Sequence, residues 1–194
     1  MLSDAAHLPT LSTDRLVLRA LAPADVPALF AIFGDPVVCR YWSRPALPDL
    51  HAAAELQADI ARHFAARTLF QWGIAERETS VVVGTCTLAD LSPEHRRADV
   101  GFALGRAAWG RGYVSEALPR LLRFAFDVLR LHRLEADVDP RNARSIRALE
   151  RVGFAREGYL RERYHLHGEV QDAIVYGLLR REWAAHATDA APAA

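Results

Sequence analysis

Between Asp99 and Leu129 the chain passes from a strand-like run, through two glycines, into a helical stripe, and this order restricts the folds open to it. Ala98 to Leu104 reads as a strand. Gly110-Arg111-Gly112 makes a tight turn, and Val114 to Leu129 carries Leu118, Leu122, Ala125 and Leu129 on one helical face. A strand feeding an amphipathic helix calls for a sheet with helices packed on it. Gly110 and Gly112 allow positive φ and a close approach of backbone to ligand. The first-turn amides of the helix have no partners within it and lie at the positive end of its dipole. Such an end is an anion site, most naturally for phosphate.

Arg15 to Leu21 is a first strand, and Ala22-Pro23-Ala24-Asp25 turns into a short helix through Phe33, closed by Gly34. Asp49 is placed to cap a second helix bearing Leu56, Ile60 and Phe64 on one face. Phe70 to Ala75 and Ser80 to Leu88 form a hairpin around a polar Arg-Glu-Thr-Ser turn. Arg133 to Val138 is a strand, and Ala143 to Arg151 a helix ended by Gly153. Tyr159 to Leu166 and Val170 to Leu179 pair through His167-Gly168. With strands outnumbering helices and hairpins at both ends, the pattern predicts a mixed α/β sheet, not a doubly wound one. One domain over 12–183 is expected, with a leader at 1–11 and a disordered tail at 184–194.

Composition removes several chemistries. All 24 basic residues are arginine, so there is no lysine for a Schiff base or a phosphate-loop NTPase. The 24 acidic residues balance them, which argues against nucleic acid held by bulk charge. Cys39 and Cys86 lie far apart with no paired spacing, so neither a zinc site nor a disulfide framework is expected. A third glycine and an opening βαβ unit are missing, which disfavours a dinucleotide fold. The opening Met1 to Thr10 has no apolar core of a signal peptide, and the longest apolar stretch, Val26 to Gly34, is far short of a membrane span. A cytoplasmic protein with no membrane partner is expected.

Trp-Gly-Arg-Gly-Tyr-Val-Ser-Glu-Ala at 109–117, followed by Asn-Ala-Arg-Ser-Ile-Arg-Ala-Leu-Glu-Arg-Val-Gly-Phe at 142–154, closely resembles the GNAT superfamily of N-acetyltransferases. The segments at 13–21 and 167–183 fit its branch of ribosomal-protein-alanine N-terminal acetyltransferases. The resemblance implies a single α/β domain whose mixed, mostly antiparallel sheet is splayed at its centre, with helices on both faces. It implies acetyl-CoA as cosubstrate and no metal. The backbone of Phe102, Ala103 and Leu104 would pair with the pantetheine arm. Gly110 and Gly112 would shape the turn, and the amides of Arg111, Gly112, Tyr113, Val114 and Ser115 would cradle the pyrophosphate. Asn142 would hydrogen-bond the pantetheine, and Ser145 would lie near the thioester sulfur. The chain departs from the family at Ala107, the first place of the loop consensus, with Arg106 one residue earlier. Pro119 also falls in the helix; it is harmless if the helix starts near Ser115 and a kink otherwise.

Acetyl transfer to an amine requires loss of the ammonium proton, stabilisation of charge on the carbonyl oxygen and protonation of the leaving thiolate. Ser145 or a tyrosine is the proton source for the thiolate. The branch can place a glutamate base on the strand after Gly153-Phe154, where this chain has Tyr164. Tyr164 then serves as acid or shapes the pocket, and Asp99, working through water, is the alternative base. Glu116 reads as a structural helix N-terminal charge. Arg141, Arg144, Arg147 and Arg151 form a stripe that is either a solvated face or a contact for an acidic partner or for the 3′-phosphate of CoA, for which Arg147 is the candidate. His165 and His167 share a strand face but lack a third metal ligand. Phe33, Tyr41 and Trp42 are candidates for the acceptor pocket. The acceptor is a primary amine: the N-terminal α-amine of a protein or peptide, or a small molecule such as an antibiotic or amino acid. A non-catalytic CoA sensor stays open, as do a monomer and a homodimer.

Overall fold

A computed structural model describes residues 7–166 and 168–183 of the chain. Eight strands make one sheet: β1 (Leu11–Ser12), β2 (Leu16–Arg19), β3 (Leu69–Glu76), β4 (Val82–Ser92), β5 (Arg97–Leu104), β6 (Arg133–Val138), β7 (Ala155–Leu166) and β8 (Glu169–Leu179). Five helices join them: α1 (Val26–Phe33), α2 (Pro36–Cys39), α3 (Leu50–Ala65), α4 (Tyr113–Arg123) and α5 (Ala143–Arg151). The sheet order is β1-β2-β3-β4-β5-β6-β8-β7, antiparallel throughout except for β5 and β6. A parallel neighbour needs a crossover, and α4 supplies it. The α/β class, the mixed sheet and the helices on both faces expected from the sequence are all present.

Local chemistry explains the elements that carry the site. In β2, Leu16 and Leu18 are buried and alternate with half-exposed Val17 and Arg19. Asp25 heads α1, accepting from the Ala22 amide at 2.8 Å and from both terminal nitrogens of Arg19 at 2.7 and 2.8 Å. Asp49 caps α3 through the Ala52 amide at 2.8 Å. Gly34 closes α1, but with φ −83°. Its need for glycine is steric, because a Cβ would lie 2.6 Å from the Phe30 carbonyl oxygen. Gly153, after α5, does take positive φ, 95°.

Two apolar layers sandwich the sheet. One gathers Leu16, Trp72, Leu118, Leu122, Phe126 and Leu149 under α4 and α5. The other gathers Leu29, Ile32, Phe33, Ile60 and Ala103 under α1 and α3. Among the described residues no helix is long and apolar enough to cross a membrane.

Several expectations need correction. Leu8 and Leu11, assigned to a leader, are buried, and Leu11–Ser12 pairs with β2. The short helix α2 was not foreseen. The helix after the glycine turn begins at Tyr113, so Pro119 is interior and leaves the Ser115 carbonyl without its helical donor. It ends at Arg123 and passes into a π-helical turn over Phe124–Val128 instead of running on to Leu129. Arg141 precedes the Asn142 cap of α5 and so is not part of a helical stripe. Residues 1–6, His167 and the 184–194 tail lie outside the described residues.

The Arg19–Asp25 pair gives a stability prediction. The Arg19 guanidinium holds the Asp25 carboxyl below its usual range, against the opposing effect of burial. A lowered carboxyl stabilises fully above its unfolded pKa of about 3.9 and loses that contribution as pH falls through the folded value. Asp25→Asn is therefore expected to cost about 1–3 kcal/mol at pH 7, as for a hydrogen-bonded charge, and much less at pH 3. Urea unfolding at the two pH values measures the difference.

Candidate active site

The parallel pairing of β5 with β6 covers only Arg97 with Arg133, Ala98 with Leu134 and Asp99 with Glu135. Beyond Asp99 the strands part, while β5 stays paired to β4 through Leu104. The Gly105 amide donates to the Val83 carbonyl at 2.9 Å, which makes 83/105 a hydrogen-bonded pair. By antiparallel alternation, Ala103 pairs with Thr85 and Gly101 with Thr87 in the same way. The N–H groups of Phe102 and Leu104 therefore point into the gap. The Leu104 carbonyl is taken by the indole of Trp109 at 2.8 Å. Ala103 differs from its two neighbours, for its amide faces β4 and its methyl group joins the layer under α1 and α3.

The gap opens onto the N-terminus of α4. Gly110 and Gly112 both have φ 77°. A Cβ at Gly110 would stand in open space, and one at Gly112 would lie 3.5 Å from Arg15 Nη2. Arg111, Gly112, Val114 and Ser115 are exposed or half-exposed here, whereas Tyr113 is buried. The Tyr113 hydroxyl donates to Glu76 Oε1 at 2.6 Å, and Arg111 Nη1 donates to the same oxygen at 2.7 Å. Hydrogen bonds from Tyr113 and Thr79, with Arg111 alongside, hold the Glu76 carboxyl below its usual range. The guanidiniums of Arg15 and Arg111 lie 5.1 and 4.9 Å from the Tyr113 ring centre. Glu116 accepts from Thr13 Oγ1 at 2.5 Å and from the Arg15 amide and Nε, each at 2.7 Å. Burial pushes its carboxyl up, but these donors together keep it below the usual range. Glu116 is thus a tie between α4 and β2, in keeping with the structural reading.

Glu76 was not foreseen, because it sits at the end of β3 and meets the loop only through the fold. Glu76→Gln is expected to weaken binding of inorganic pyrophosphate about threefold to tenfold, by loosening the loop before α4, without moving the melting temperature by more than a few degrees. Calorimetric titration and a thermal melt check both.

Helix α5 runs beside the same mouth. Asn142 caps it, its Oδ1 accepting from the Ser145 amide at 3.2 Å. Ser145 is half-buried in the first turn of α5. Arg144 covers the Trp109 ring at 4.5 Å, Arg147 is exposed, and Arg151 donates to Ser115 Oγ at 2.8 Å. Arg141 is instead bound to Asp139 at 2.7 Å and Glu169 at 3.2 Å. Arg106 pairs with Asp35 at 3.0 Å.

The other sheet face is acidic. Side chains alternate along strands, so Asp99 on β5 and Glu135 and Asp137 on β6 face away from the α4–α5 layer. Burial, then the nearby charges of Asp90, Glu135 and Asp137, push the Asp99 carboxyl up to about 6, against the pull of Arg97. Asp99 Oδ1 is shielded from solvent and accepts no hydrogen bond among the described residues. Tyr164, on β7, donates to Asp137 Oδ2 at 2.8 Å. Asp99 and Tyr164 therefore share the α1–α3 side, and Ser145 stands on the opposite one.

Next to Tyr164 a depression of about 290 Å³ is lined by Pro36, Cys39, Arg40, Ala46, Arg141, Glu169 and Gln171. Tyr41 carries the guanidiniums of Arg40 and Arg141 against its ring. Phe33 and Trp42 pack with centroids 5.2 Å apart, and both line a second hollow against α3. Among the described residues no three His, Cys, Asp or Glu side chains gather to hold a metal.

A sequence model of the acetyltransferase (GNAT) domain matches residues 15–155. The chain belongs to the GNAT acetyltransferase family. This acetyltransferase is 34% identical over 177 residues to the N-acetyltransferase p20 of Bacillus licheniformis, spanning 91% of the one and 99% of the other. It is 24% identical over 181 residues to the ribosomal protein uS5-alanine N-acetyltransferase of Escherichia coli, covering 89% of this chain and 92% of that one. The crystal structure of an acetyltransferase from T. thermophilus superposes with a TM-score of 0.80 at 33% identity, over 95% of this acetyltransferase and 96% of its counterpart.

Proposed function

We propose that this acetyltransferase moves the acetyl group of acetyl-CoA to a primary amine, and that the first acceptor class is the N-terminal α-amine of a protein or peptide. The observation that carries the reading is the edge of β5 left unpaired beyond Asp99, which leads through the glycine turn to the N-terminus of α4. An unpaired strand edge suits an extended chain of amides, and a glycine-headed helix N-terminus suits a pyrophosphate. The residues present fit such a cosubstrate: Gly110 leaves open space, and Phe102 and Leu104 offer free N–H groups. Asn142 would hold the pantetheine from the end of α5, and Arg147 would reach the 3′-phosphate.

Acetyl-CoA supplies the acetyl group as an activated thioester. Asp99, through a water molecule, takes one proton from the acceptor ammonium. The freed nitrogen lone pair forms the new N–C bond as the C–S bond breaks. Ser145 gives its hydroxyl proton to the departing sulfur and recovers one from the acylated nitrogen, which leaves a neutral amide, a thiol and a neutral Ser145, while Asp99 passes its proton to solvent. The N–H groups of Phe102 and Leu104 are the donors for charge developing on the carbonyl oxygen. Tyr164, already donating to Asp137, shapes the wall beside the 290 Å³ depression that would receive the acceptor. An α-amine, with its pKa near 8, suits a base that works through water.

One observation favours a second reading, a small cationic amine as acceptor: Asp99, Glu135 and Asp137 floor the site in place of a single glutamate. Thiol release scored over N-terminal peptides, polyamines, aminoglycosides and amino acids decides between them. Turnover confined to peptides supports the first reading, and turnover confined to small amines establishes the second. CoA binding without turnover on any amine overturns both and leaves a CoA sensor. Failure to bind CoA overturns the assignment of residues 110–115.

A further inference from the structure

Glu135 stands opposite Asp99 in the last register pair before the strands part. Between them lies Arg97, whose Nη1 is 2.9 Å from Glu135 Oε2 but 3.7 Å from Asp99 Oδ1. The first distance is a charged hydrogen bond, and the second is beyond hydrogen-bond range. The other Glu135 oxygen accepts from Arg133 Nε at 2.6 Å, and Arg133 also binds Glu157. The remaining charges around Asp99 are Asp90 on β4 and Asp137 on β6, the latter occupied by Arg163 at 3.5 Å and by Tyr164.

We propose that Glu135 is a positioning residue: by hydrogen-bonding the Arg97 guanidinium it keeps the cation nearest Asp99 in a longer ion pair, without a hydrogen bond, and so leaves that carboxylate a stronger base for the acceptor's proton. This inference rests on the reading of Asp99 as the base. Physically, a carboxylate in a direct ion pair with arginine is a weaker base, its proton affinity lowered by the adjacent charge. Glu135 competes for the same guanidinium at shorter range, from the strand that diverges to make the cosubstrate gap. The gap and the basicity of Asp99 therefore have a common origin in the β5–β6 seam. Glu116, Glu76 and Asp25 each hold an arginine at 2.7 Å, whereas the ion pair of Asp99 with Arg97 is 3.7 Å long and carries no hydrogen bond.

The test is the titration of Asp99 by 13C-carboxyl NMR on the CoA-free protein, with the signal assigned from Asp99→Asn. Glu135→Gln is expected to lower the Asp99 pKa by at least about one unit, because Arg97 closes on it as a like charge leaves. Arg97→Gln is expected to raise it. In the Arg97→Gln background, Glu135→Gln is expected to produce less than half its original shift, and that coupling measures the withholding. In turnover, Glu135→Gln moves the acid limb of kcat/KM down by the same amount and lowers the rate at pH 7. Equal shifts in the two backgrounds overturn the proposal even if Asp99 is the base. Asp99→Asn retaining full activity overturns the base reading instead, and the NMR cycle then judges the Arg97 geometry by itself. A thermal melt within a few degrees of the parent shows that each variant keeps its fold.

Discussion

A Gly112→Val enzyme is expected to fold normally and to bind CoA about a hundredfold more weakly, a loss of about 2.7 kcal/mol. Gly112 is the N-cap of α4 with φ 77° and ψ 9°, a left-handed conformation that costs a residue bearing Cβ about 1–2 kcal/mol, and more if it is β-branched. The cheapest relief is rotation of the peptide that starts α4, which turns away the amides the phosphate needs. A valine side chain would also press on Arg15, 3.5 Å from the Cβ position. Gly112→Asn is the control, since asparagine tolerates this region, and it should stay within a few-fold of the parent. Calorimetric titration of CoA, with circular dichroism to monitor folding, reads both variants. Valine binding as tightly as glycine would show that α4 is not the anion site.

The second large effect belongs to Asp99. Asp99→Asn is expected to lower kcat by about 10²- to 10³-fold, the range of general base catalysis, with CoA affinity unchanged. Burial and its acidic neighbours push the Asp99 carboxyl up to about 6, so the working carboxylate is lost as pH falls through 6. The parent should show an acid limb there in kcat/KM, and the asparagine variant should not. Persistence of that limb would assign it to another group.

Much of this was legible in the sequence because it was written locally. The strand β6 and the helix α5 have the bounds that periodicity and the Gly153 stop gave them. Asp49 caps α3 because an acid three residues before a free amide needs no help from the rest of the chain. The glycine turn, with positive φ at Gly110 and Gly112, was readable for the same reason. Illegible features were those that depend on distant partners. Glu76 looked like one charge in a polar hairpin turn until the fold brought Arg111 and Tyr113 to it. Arg141 falls at helical spacing with Arg144, yet Asp139 and Glu169 hold it outside the helix. Leu8 and Leu11 had no strand pattern long enough to read, and only burial beside β2 reveals their role. Glu135 and Asp137 drew no reading from the sequence, because their meaning depends on Asp99 facing the same way across the sheet.

The brevity of the β5–β6 seam bears on how the chain assembles. Strands β1 to β5 follow one another in both sequence and space, so the first half can zip up by near-neighbour pairing. The second half closes its own hairpin of β7 and β8, and the two meet through three residue pairs and the α4 crossover. Joining them across the crossover is the non-local step, expected to be slower than the near-neighbour pairings, and it is completed next to the proposed cosubstrate gap. A cosubstrate lying along β5, as proposed, would act as a splint across the joint. Amides flanking the seam should exchange fastest in the free protein, and saturation with CoA should merge two opening units into one.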